Sequence, residues 1–396
     1  MDVICHVITK LELGGAQEVA MRVVSSLDRR RFRPVLIAGP GGLLTEEAHA
    51  LEGVELRLIP SLVRDIRPLQ DLRALWELVA TFRRLRPKIV HTHSSKAGIL
   101  GRLAAWLAGV PCILHTIHGY GVTPAQPLWL QHMVIGLEWM VGRVTTHWIA
   151  VSQADRRQGL EWELFSASKV SVIRPGVDPT AFAARIEPAE RDRLRASLGV
   201  GPEQLLVGTV SCLKPQKSPE DFIRVAAIVC QRMPAAKCVL VGDGALRPQI
   251  EAMIQAQGLQ ERVTLLGWRR DVASLLKAFD VFVLTSQWEG LPCAILEARA
   301  SRIPIVATRV GGSAEAIVEG IQGTLCPAGD VRAIASRVCQ LLGDERLRAD
   351  LRNGTQELPE EFTIQETVKQ YHSLYTYLLH ATRPAEDMMK LQPNRM

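Results

Sequence analysis

Short, uniformly apolar segments alternate along the chain with longer segments whose apolar residues recur every three or four positions. The short segments predict strands that are buried on both faces, and the longer ones predict helices that cross between the strands. In the first half of the chain the strand pattern occurs at Val3–Thr9, Val35–Ala38, Val54–Ile59, Ile89–His93, Cys112–His115, His147–Val151 and Val170–Ile173. Leu69–Leu85 is typical of the helical segments between them. This alternation predicts a parallel sheet with helices on both faces.

The same alternation starts again after a polar segment at residues 181–201. That segment is rich in Arg and Glu and ends in Gly-Val-Gly-Pro, which is a turn signal. Beyond it, strands are predicted at Leu205–Val210, Cys238–Val241, Val263–Leu266, Val281–Thr285 and Ile305–Thr308. We therefore predict an N-terminal domain at residues 1–180, a linker at 181–201 and a C-terminal domain at 202–362. Both would be doubly wound α/β domains, with a ligand cleft between them.

A last helical pattern covers residues 363–382. Its apolar side chains form one stripe, made of Ile364, Val368, Tyr371, Tyr375 and Leu378. We expect this helix to pack back toward the N-terminal domain. Residues 383–396 have no apolar period and are predicted to be disordered.

The composition of the 396 residues, 47% hydrophobic and 22% charged, excludes a disordered chain. Nearly all of the net charge of +6 lies in the N-terminal domain, where residues 1–180 contain 21 basic and 16 acidic residues. Two basic clusters stand just before predicted strands: Arg29, Arg30, Arg31 and Arg33, then Arg83, Arg84, Arg86 and Lys88. Few aromatic residues are interleaved with them, so nucleic acid is not an expected partner. The clusters fit either solvated helix–strand connections or contact with anionic membrane headgroups.

The eight cysteines include no C-x-x-C pair, and most of them lie inside apolar runs. Together with an N-terminus that lacks the basic region of a secretory signal, they predict reduced, buried thiols in the cytoplasm. No segment has the roughly twenty uncharged apolar residues of a membrane span. The nearest, Leu128–Val151, is interrupted by Glu138 and Arg143. We therefore expect a cytoplasmic protein whose contact with the inner face of the membrane would be peripheral, through the N-terminal domain.

The strongest candidate for chemistry is the segment Trp288–Glu297, which reads WEGLPCAILE. It follows the predicted strand Val281–Thr285 and opens a helix, with Pro292 near the first helical position. The free N–H groups around Leu291–Ala294 and the helix dipole would suit a phosphate.

Glu289 and Glu297 are both placed to face one ligand, because the first precedes the predicted helix and the second lies inside it. A phosphate-rich ligand would repel two carboxylates unless they accept hydrogen bonds from hydroxyls, which points to a sugar. The alternative is structural, with Glu297 on the helix surface and Glu289 stabilised by the helix dipole. The segment by itself leaves both interpretations open.

The segment resembles the E-x7-E signature of glycosyltransferase family 4, whose members are retaining enzymes with two Rossmann-like domains in the GT-B fold. Further segments match the family in order across almost the whole chain: Leu13–Glu18, Val90–Lys96, His115–Gly119, Ala150–Ser152, Ile173–Asp178, Leu213–Lys217, Val241–Gly244, Leu266–Val272, Pro304–Thr308 and Gly311–Glu315. Within the family, the motifs resemble most those of bacterial transferases that build cell-surface polysaccharides. The resemblance implies an α/β protein of GT-B architecture whose two domains face each other across a cleft.

The resemblance also implies roles for individual residues. Lys217 would neutralise the leaving diphosphate, and Glu297 would hold the ribose hydroxyls. His118 and Glu289 would be the catalytic residues, with Glu289 on the donor sugar and His118 facing the reacting sugar from the first domain. Further donor-binding residues would be Gly14, Gly15, Gly290, Leu291, Pro292 and Cys293, with Cys212, Lys214, Trp268 and Arg269 as additional candidates.

Several of these residues also have plainer explanations. Gly14 and Gly15 let the backbone approach a diphosphate at a helix start, but an ordinary strand–helix turn has the same sequence. Lys217 matches a mobile point charge for a pyrophosphate and equally a solvated loop lysine. His118 is preferred, for its His-Gly context, to three histidines that could be satisfied core residues: His91, His93 and His115.

Two further observations bear on the mechanism. Cys212 stands where the family commonly has an Arg that joins the lysine on the diphosphate, and Lys214 is the candidate replacement. The chain contains no D-x-D, the pair that a metal-bridged diphosphate often requires. We therefore expect no metal and no cofactor, with the leaving charge stabilised by fixed amides, a helix N-terminus and Lys217. The chain also has no P-loop and no Ser/His/Asp elbow, which argues against an NTPase or a hydrolase.

The predicted function is therefore retaining transfer of a sugar from a nucleotide-sugar donor, expected to be UDP-linked, to a saccharide or lipid-linked acceptor. Two alternatives stay open. One is a non-catalytic nucleotide-sugar-binding subunit, for which Cys212 is the argument and against which the intact Glu289 and Lys217 stand. The other is an epimerase or a phosphorylase on the same fold.

Overall fold

The computed structural model describes residues 1–123, 126–184, 186–354 and 357–381. Its strands are β1 (Asp2–Lys10), β2 (Phe32–Gly39), β3 (Glu55–Leu58), β4 (Ile89–His93), β5 (Cys112–Ile117), β6 (His147–Ala150), β7 (Val170–Val172), β8 (Leu205–Val210), β9 (Ala236–Val241), β10 (Val263–Gly267), β11 (Val281–Leu284), β12 (Ile305–Thr308) and β13 (Gly323–Cys326). Its helices are α1 (Gly15–Ser25), α2 (Thr45–His49), α3 (Pro68–Leu85), α4 (Ser95–Leu107), α5 (Leu128–Gly142), α6 (Gln153–Glu161), α7 (Pro179–Ala183), α8 (Pro188–Ser197), α9 (Pro219–Arg232), α10 (Arg247–Ala256), α11 (Val272–Ala278), α12 (Cys293–Ala300), α13 (Ser313–Ala316), α14 (Val331–Gly343), α15 (Glu345–Gly354) and α16 (Ile364–Ala381). The predicted disordered tail at 383–396 lies outside the described residues.

The chain divides into two compact units. Unit 1 comprises Met1–Arg174 together with the segment that starts at Ile364, and unit 2 comprises Pro175–Thr363. The helix expected to return to the N-terminal domain is α16, which belongs to unit 1. The chain therefore leaves unit 1 after β7, forms the whole of unit 2 and then re-enters unit 1.

The segment expected to be a linker, residues 181–201, lies inside unit 2 and contains the whole of α8. Its arginines bind Asp280, the residue just before β11. Arg195 donates to Oδ2 of Asp280 at 3.0 Å, and Arg191 donates to Oδ1 at 2.9 Å. Arg195 is buried, and it also donates to the carbonyl of Ala278 at 2.8 Å. The polar composition of this segment thus reflects buried ion pairs inside a domain, which a pattern of apolar residues does not detect.

The sheet of unit 1 has seven parallel strands in the order β3-β2-β1-β4-β5-β6-β7. Helices α3 and α4 cover one face, where Leu78 and Phe82 pack against Val7 and Val90. Helices α1 and α16 pack against the residues of another core cluster, which includes Ile4 and Leu114. The chain order reverses between β1 and β4, so their carboxyl ends form a topological switch point.

The sheet of unit 2 has six parallel strands in the order β10-β9-β8-β11-β12-β13, with a switch point between β8 and β11. Strand β13 is absent from the sequence prediction because only Leu325 and Cys326 of its four residues are apolar. It nevertheless pairs with β12 through Ile305 and Gly323. The predicted class, two doubly wound Rossmann-like α/β domains, is confirmed.

Helix α5 explains the longest apolar run of the chain. Its Glu138 is buried and accepts a hydrogen bond from Arg102 of α4 at 2.5 Å, while the Arg102 guanidinium lies 4.7 Å from the ring centre of Trp148. The charge that interrupts the run is therefore neutralised inside unit 1. Across the described residues, no helix combines the length and the apolar character that crossing a membrane requires.

The eight cysteines are all free thiols. Five of them are buried, namely Cys5, Cys112, Cys230, Cys238 and Cys326. Burial raises the pKa of the Cys5 thiol to about 12 and that of Cys112 to about 12, which keeps both protonated and unreactive at neutral pH.

Candidate active site

Two of the charged residues predicted to bind the donor meet at the switch point of unit 2. Lys217 ends a short 3-10 turn that follows β8, and Glu289 lies in the loop that follows β11. The Lys217 Nζ forms an ion pair with Oε1 of Glu289, and the two side chains are only 16% and 5% exposed. Parallel α/β sheets bind ligands at the carboxyl ends of the strands that flank such a point.

Two further side chains hold the Glu289 carboxylate. Ser286 Oγ donates to Oε1 at 2.6 Å, and Gln216 Nε2 lies 3.4 Å from Oε2. Gln216 also donates to the carbonyl of Trp288 at 3.0 Å. Neither residue was predicted: Gln216 lies inside the Leu213–Lys217 motif, whereas nothing in the sequence marks Ser286.

The turn after β12 packs against the loop that carries Glu289 and holds it in place. Gly311 has a φ of +46°, and a Cβ at this position would lie 1.8 Å from the carbonyl oxygen of Glu289. The amide of Gly312 donates to the carbonyl of Gly290 at 2.7 Å, and Thr308 Oγ1 donates to that of Ser286 at 2.6 Å. Gly311 is therefore a position where only glycine fits without moving the Glu289 backbone.

Helix α12 begins directly after Pro292. Cys293 is its first residue, and Pro292, expected near the first helical position, is the N-cap, with its carbonyl accepting from the amide of Ile295 at 3.1 Å. Gly290, Leu291 and Pro292 are buried, whereas Cys293 is half-buried. Glu297 is half-buried in the second turn. The spacing of the motif thus puts one carboxylate before the helix and the other on it.

The additional donor-binding candidates also follow strands of the sheet of unit 2. Cys212 and Lys214 follow β8 and are half-buried. Trp268 follows β10 and is 37% exposed. Arg269 donates to both carboxylate oxygens of Asp271, at 2.7 and 2.5 Å, so its guanidinium is already paired within unit 2.

Gly14 and Gly15 begin α1, just beyond β1 at the switch point of unit 1. Gly14 is the N-cap, and its carbonyl accepts from the amides of Gln17 and Glu18 at 3.1 Å each. Its φ of 177° is extended backbone that any residue adopts. The local conformation therefore does not require glycine at position 14, although an added Cβ would lie 2.9 Å from the side-chain oxygen of Gln17.

His118 follows β5 and is half-buried. Its Nε2 lies 3.1 Å from Nδ1 of His93, and burial lowers its pKa to about 4. The three competing histidines lie in strands with buried polar partners: His91 beside Thr116, His93 beside His118, and His115 beside Thr92. Within this group, His118 is the histidine that lies beyond a strand end and retains exposure.

Sequence reasoning missed His6, which sits in the apolar run of β1. Its Nδ1 lies 3.1 Å from Nε2 of His93. The ring nitrogens of His6, His91 and His93 lie within 4.8 Å of one another, close enough for a metal ion. Hydrogen bonds to Tyr375, Thr116 and His118 engage the remaining nitrogens of the three rings. A metal would have to replace several of those bonds with coordination bonds.

Comparison with known proteins identifies the family of this chain. Residues 13–181 match the family model described as Glycosyltransferase Family 4, and residues 190–358 match the model described as Glycosyl transferases group 1. The chain is 32% identical over 375 residues to the UDP-Gal:alpha-D-GlcNAc-diphosphoundecaprenol alpha-1,3-galactosyltransferase of Escherichia coli, covering 94% of this chain and 96% of the relative. The chain belongs to glycosyltransferase family 4.

Solved structures place this family 4 glycosyltransferase in the GT-B fold. HepE of Anabaena, in complex with UDP-glucose, is 22% identical and superposes with a TM-score of 0.81, covering 95% of this chain and all of that one. Sucrose-phosphate synthase of Thermosynechococcus elongatus is 20% identical, with a TM-score of 0.80 over 96% of this chain and 100% of its own. The family and fold expected from the ordered motifs are both confirmed, and so is glycosyl transfer as the class of reaction.

Proposed function

We propose that this glycosyltransferase moves a sugar from a UDP-linked donor to a saccharide or lipid-linked acceptor in cell-surface polysaccharide synthesis, with retention of the anomeric configuration. The observation that carries the proposal is the buried pair of Lys217 and Glu289 at the switch point of unit 2. A cation for a diphosphate and a carboxylate for sugar hydroxyls are the two groups that a nucleotide sugar requires.

Each site residue has a role in this proposal. Lys217 takes the charge that develops on the leaving diphosphate, together with the amides at the start of α12. Glu289 accepts hydrogen bonds from the donor sugar, and Glu297 accepts them from the ribose. His118 contacts the reacting sugar.

The relatives support the choice of donor and acceptor. The Escherichia coli relative is named for transfer of galactose from UDP to a GlcNAc-diphosphoundecaprenol acceptor. Another relative, 24% identical over 331 residues, is the capsular polysaccharide glycosyltransferase CapM of Staphylococcus aureus, of which this chain covers 86%. We therefore place UDP-hexoses first among donors and a saccharide on a polyprenyl diphosphate first among acceptors.

A donor panel tests the proposal. UDP-galactose, UDP-glucose, UDP-N-acetylglucosamine and GDP-mannose would be offered with crude bacterial lipid extract, and release of nucleoside diphosphate would be measured. We expect release with a UDP-sugar that depends on the extract and is lost in Glu289→Ala. Proton NMR of the product should show the anomeric configuration of the donor, and an inverted product would contradict retention.

The same assay separates the alternatives. Unchanged behaviour of Glu289→Ala with intact nucleotide binding would indicate a non-catalytic subunit, in which Cys212 has replaced the family's arginine. Product formed without an acceptor would indicate an epimerase, and a requirement for free phosphate would indicate a phosphorylase.

We propose that transfer needs no metal ion and no cofactor. Lys217 and the amides at the N-terminus of α12 supply positive charge where the diphosphate leaves, and such fixed groups need no reorganisation during the reaction. Full activity in excess EDTA is the expected result. Activity lost to EDTA and restored by a divalent ion alone would contradict it.

We propose peripheral membrane contact through unit 1, carried by an apolar stripe on α5. The stripe is the exposed face of the helix: Leu128, Trp129, Met133, Trp139 and Met140, each between 44% and 70% exposed. Arg143 adds a cation whose guanidinium lies 3.9 Å from the ring centre of Trp139. Tryptophans and a basic residue on an apolar helix face are typical of helices that lie in the membrane interface.

The first basic cluster contributes less to this contact than its charge indicates. Arg29 donates to the carbonyls of Val24, Ser25 and Leu27, and Arg33 pairs with Glu55 at 2.8 Å. Side chains engaged in this way serve the fold of unit 1. The α5 stripe is therefore the better candidate for the membrane-facing surface.

A further inference from the structure

A continuous set of buried hydrogen bonds runs through unit 1 and ends at His118. We call it the hydrogen-bond relay, and its members in order are Tyr371, Thr116, His91, Tyr375, His6, His93 and His118. The first six are at most 1% exposed. Two come from α16, and the others come from the strands and strand ends of the sheet.

Each contact in the hydrogen-bond relay is short enough for a hydrogen bond. Tyr371 Oη lies 3.2 Å from Thr116 Oγ1, which lies 2.7 Å from His91 Nε2. Tyr375 Oη lies 2.6 Å from His91 Nδ1 and 3.1 Å from His6 Nε2. The two remaining imidazole–imidazole contacts, from His6 to His93 and from His93 to His118, measure 3.1 Å each.

The four histidines are neutral at physiological pH. Burial lowers the pKa of His6 to about 3 and that of His118 to about 4, and it lowers the pKa values of His91 and His93 well below the ordinary value. A neutral imidazole has one N–H donor and one acceptor nitrogen, and a hydroxyl has one hydrogen to donate. Because each buried hydrogen also needs an acceptor within the relay, the direction of any one bond fixes the direction of all the others.

Tyr371 decides between the two directions. Among the described residues its hydroxyl has one hydrogen-bond partner, Thr116. If Thr116 donated to Tyr371, the phenolic hydrogen of this buried side chain would have no acceptor in that part of the chain, which is costly in a protein interior. If Tyr371 donates to Thr116, every hydrogen in the relay has an acceptor, up to the bond in which His93 Nδ1 donates to His118 Nε2.

We infer that the hydrogen-bond relay fixes His118 in the tautomer that carries its proton on Nδ1, so that His118 offers the substrate a neutral N–H donor. His6, His93 and Tyr375 are then positioning residues, because they act on the substrate only through His118. The inference rests on the proposed role of His118 and deepens it. An N–H group at Nδ1 can donate a hydrogen bond to a hydroxyl oxygen or ring oxygen of the sugar. In this tautomer Nδ1 already carries a proton, so His118 cannot be the base that takes the proton from the acceptor substrate.

The tautomer can be measured without any assay of transfer. The full chain, labelled with ¹⁵N-histidine, would be studied by two-bond proton–nitrogen correlation NMR at neutral pH, with His118→Gln identifying the His118 signals. We expect Nδ1 protonated and Nε2 unprotonated. A signal from Nε2–H, or from a doubly protonated ring, would overturn the inference.

Tyr375→Phe tests the coupling, since it removes one hydroxyl and keeps the buried ring. We expect the Nδ1-protonated share of His118 to fall and kcat to drop about tenfold, the effect of one lost hydrogen bond in the transition state. Tyr377→Phe is the matched control, because Tyr377 lies on the same helix, is 68% exposed and is not part of the relay. Equal spectra and rates in the two variants would contradict the inference.

Two substitutions of His118 separate its nitrogens. His118→Asn would place a side-chain amide N–H near the position of Nδ1, and His118→Gln would place it near the position of Nε2. We therefore expect His118→Asn to retain more activity than His118→Gln, and the reverse order would contradict the inference. Should transfer be missing from the wild type while the tautomer is as expected, the proposed function fails and the relay stands. A metal ion bound stoichiometrically and lost in His6→Asn would overturn the relay itself.

Discussion

Lys217 and Glu289 depend on each other at the residue scale. Their side chains form a nearly dry ion pair, and Ser286 adds a hydrogen bond to the same carboxylate oxygen. When a bound diphosphate attracts Lys217, Glu289 loses its ion-pair partner. The hydroxyls of a bound sugar can then donate hydrogen bonds to the Glu289 carboxylate in place of Lys217. The site is therefore arranged so that both parts of a nucleotide sugar are needed to satisfy both side chains.

Single and double substitutions of this pair should separate stability from activity. Lys217→Met and Glu289→Gln each leave one buried charge without its partner, so each should lower the free energy of unfolding of unit 2 by about 3–5 kcal/mol. The double variant removes both charges and should regain most of that loss. All three should lose about 10²–10³-fold in kcat. Urea denaturation and the transfer assay measure the two effects, and strictly additive stability losses would contradict the coupling.

The sequence predicts residues of this site better than their contacts. Glu289, Glu297 and Lys217 are recognisable from motifs, but the pairing of Lys217 with Glu289 joins residues 72 positions apart and depends on the order of strands. His6 escapes prediction because a polar residue inside an apolar strand gives no local signal. Its function becomes visible only when α16 brings Tyr375 to it.

At the scale of elements, the turn after β12 positions the loop after β11. The two segments touch through backbone atoms, with Gly311 against the carbonyl of Glu289. Most strands were predictable because they are uniformly apolar. Strand β13 was not, since only two of its four residues are apolar. The place of residues 181–201 inside unit 2 was not predictable either, since α8 is held there by arginines bound to Asp280.

Gly311→Ala should displace Glu289 and reduce transfer. The added Cβ would lie 1.8 Å from the Glu289 carbonyl, so the loop has to move. Gly320→Ala is the matched control, because Gly320 also has a positive φ, +80°, but has no atom within 4 Å of the added Cβ. Both variants should lose about 1 kcal/mol of stability from the strained backbone, but only Gly311→Ala should lower kcat, by at least about tenfold. Equal activities in the two variants would contradict this positioning role.

On the scale of the whole molecule, the histidine side chains are distributed unequally between the two units. All ten histidines of the chain lie in unit 1, and unit 2 has none. Burial lowers the pKa values of His6, His91, His93 and His115. The two units should therefore respond differently to weak acid.

Unit 1 should lose stability as the pH falls below about 6.5, while unit 2 should change little. The unfolded chain binds protons on these histidines near pH 6.5 and the folded unit does not, so acid favours unfolding. Each such histidine contributes up to about 1.4 kcal/mol per pH unit in that window. Hydrogen exchange measured by mass spectrometry at pH 7 and pH 5 can follow the units separately. Each rate is compared with the intrinsic exchange rate at the same pH, and an equal loss of protection in both units would contradict the prediction.

The α5 stripe predicts binding of the whole chain to vesicles. We expect flotation with liposomes that contain anionic lipid, and we expect much of it to persist in high salt because the contact is apolar. The double variant Trp129→Ser/Met133→Ser should bind several-fold less. Tyr377→Ser, which changes an exposed aromatic residue on α16, serves as the control. Vesicle binding that is abolished by salt would instead assign the membrane contact to the basic clusters. If the chain binds vesicles under no condition, the basic clusters are solvated helix–strand connections.

The late position of α16 in the chain has a consequence for how the protein is made. Tyr371 and Tyr375 are synthesised after all of unit 2, although their partners His6, His91 and Thr116 leave the ribosome among the first residues. At about 5–20 residues per second, the core of unit 1 waits many seconds for its last helix. During that time its sheet lacks the cover of α16, and its histidines lack their hydroxyl partners. A ribosome-bound chain that has finished unit 2 but not α16 therefore still has an incomplete unit 1.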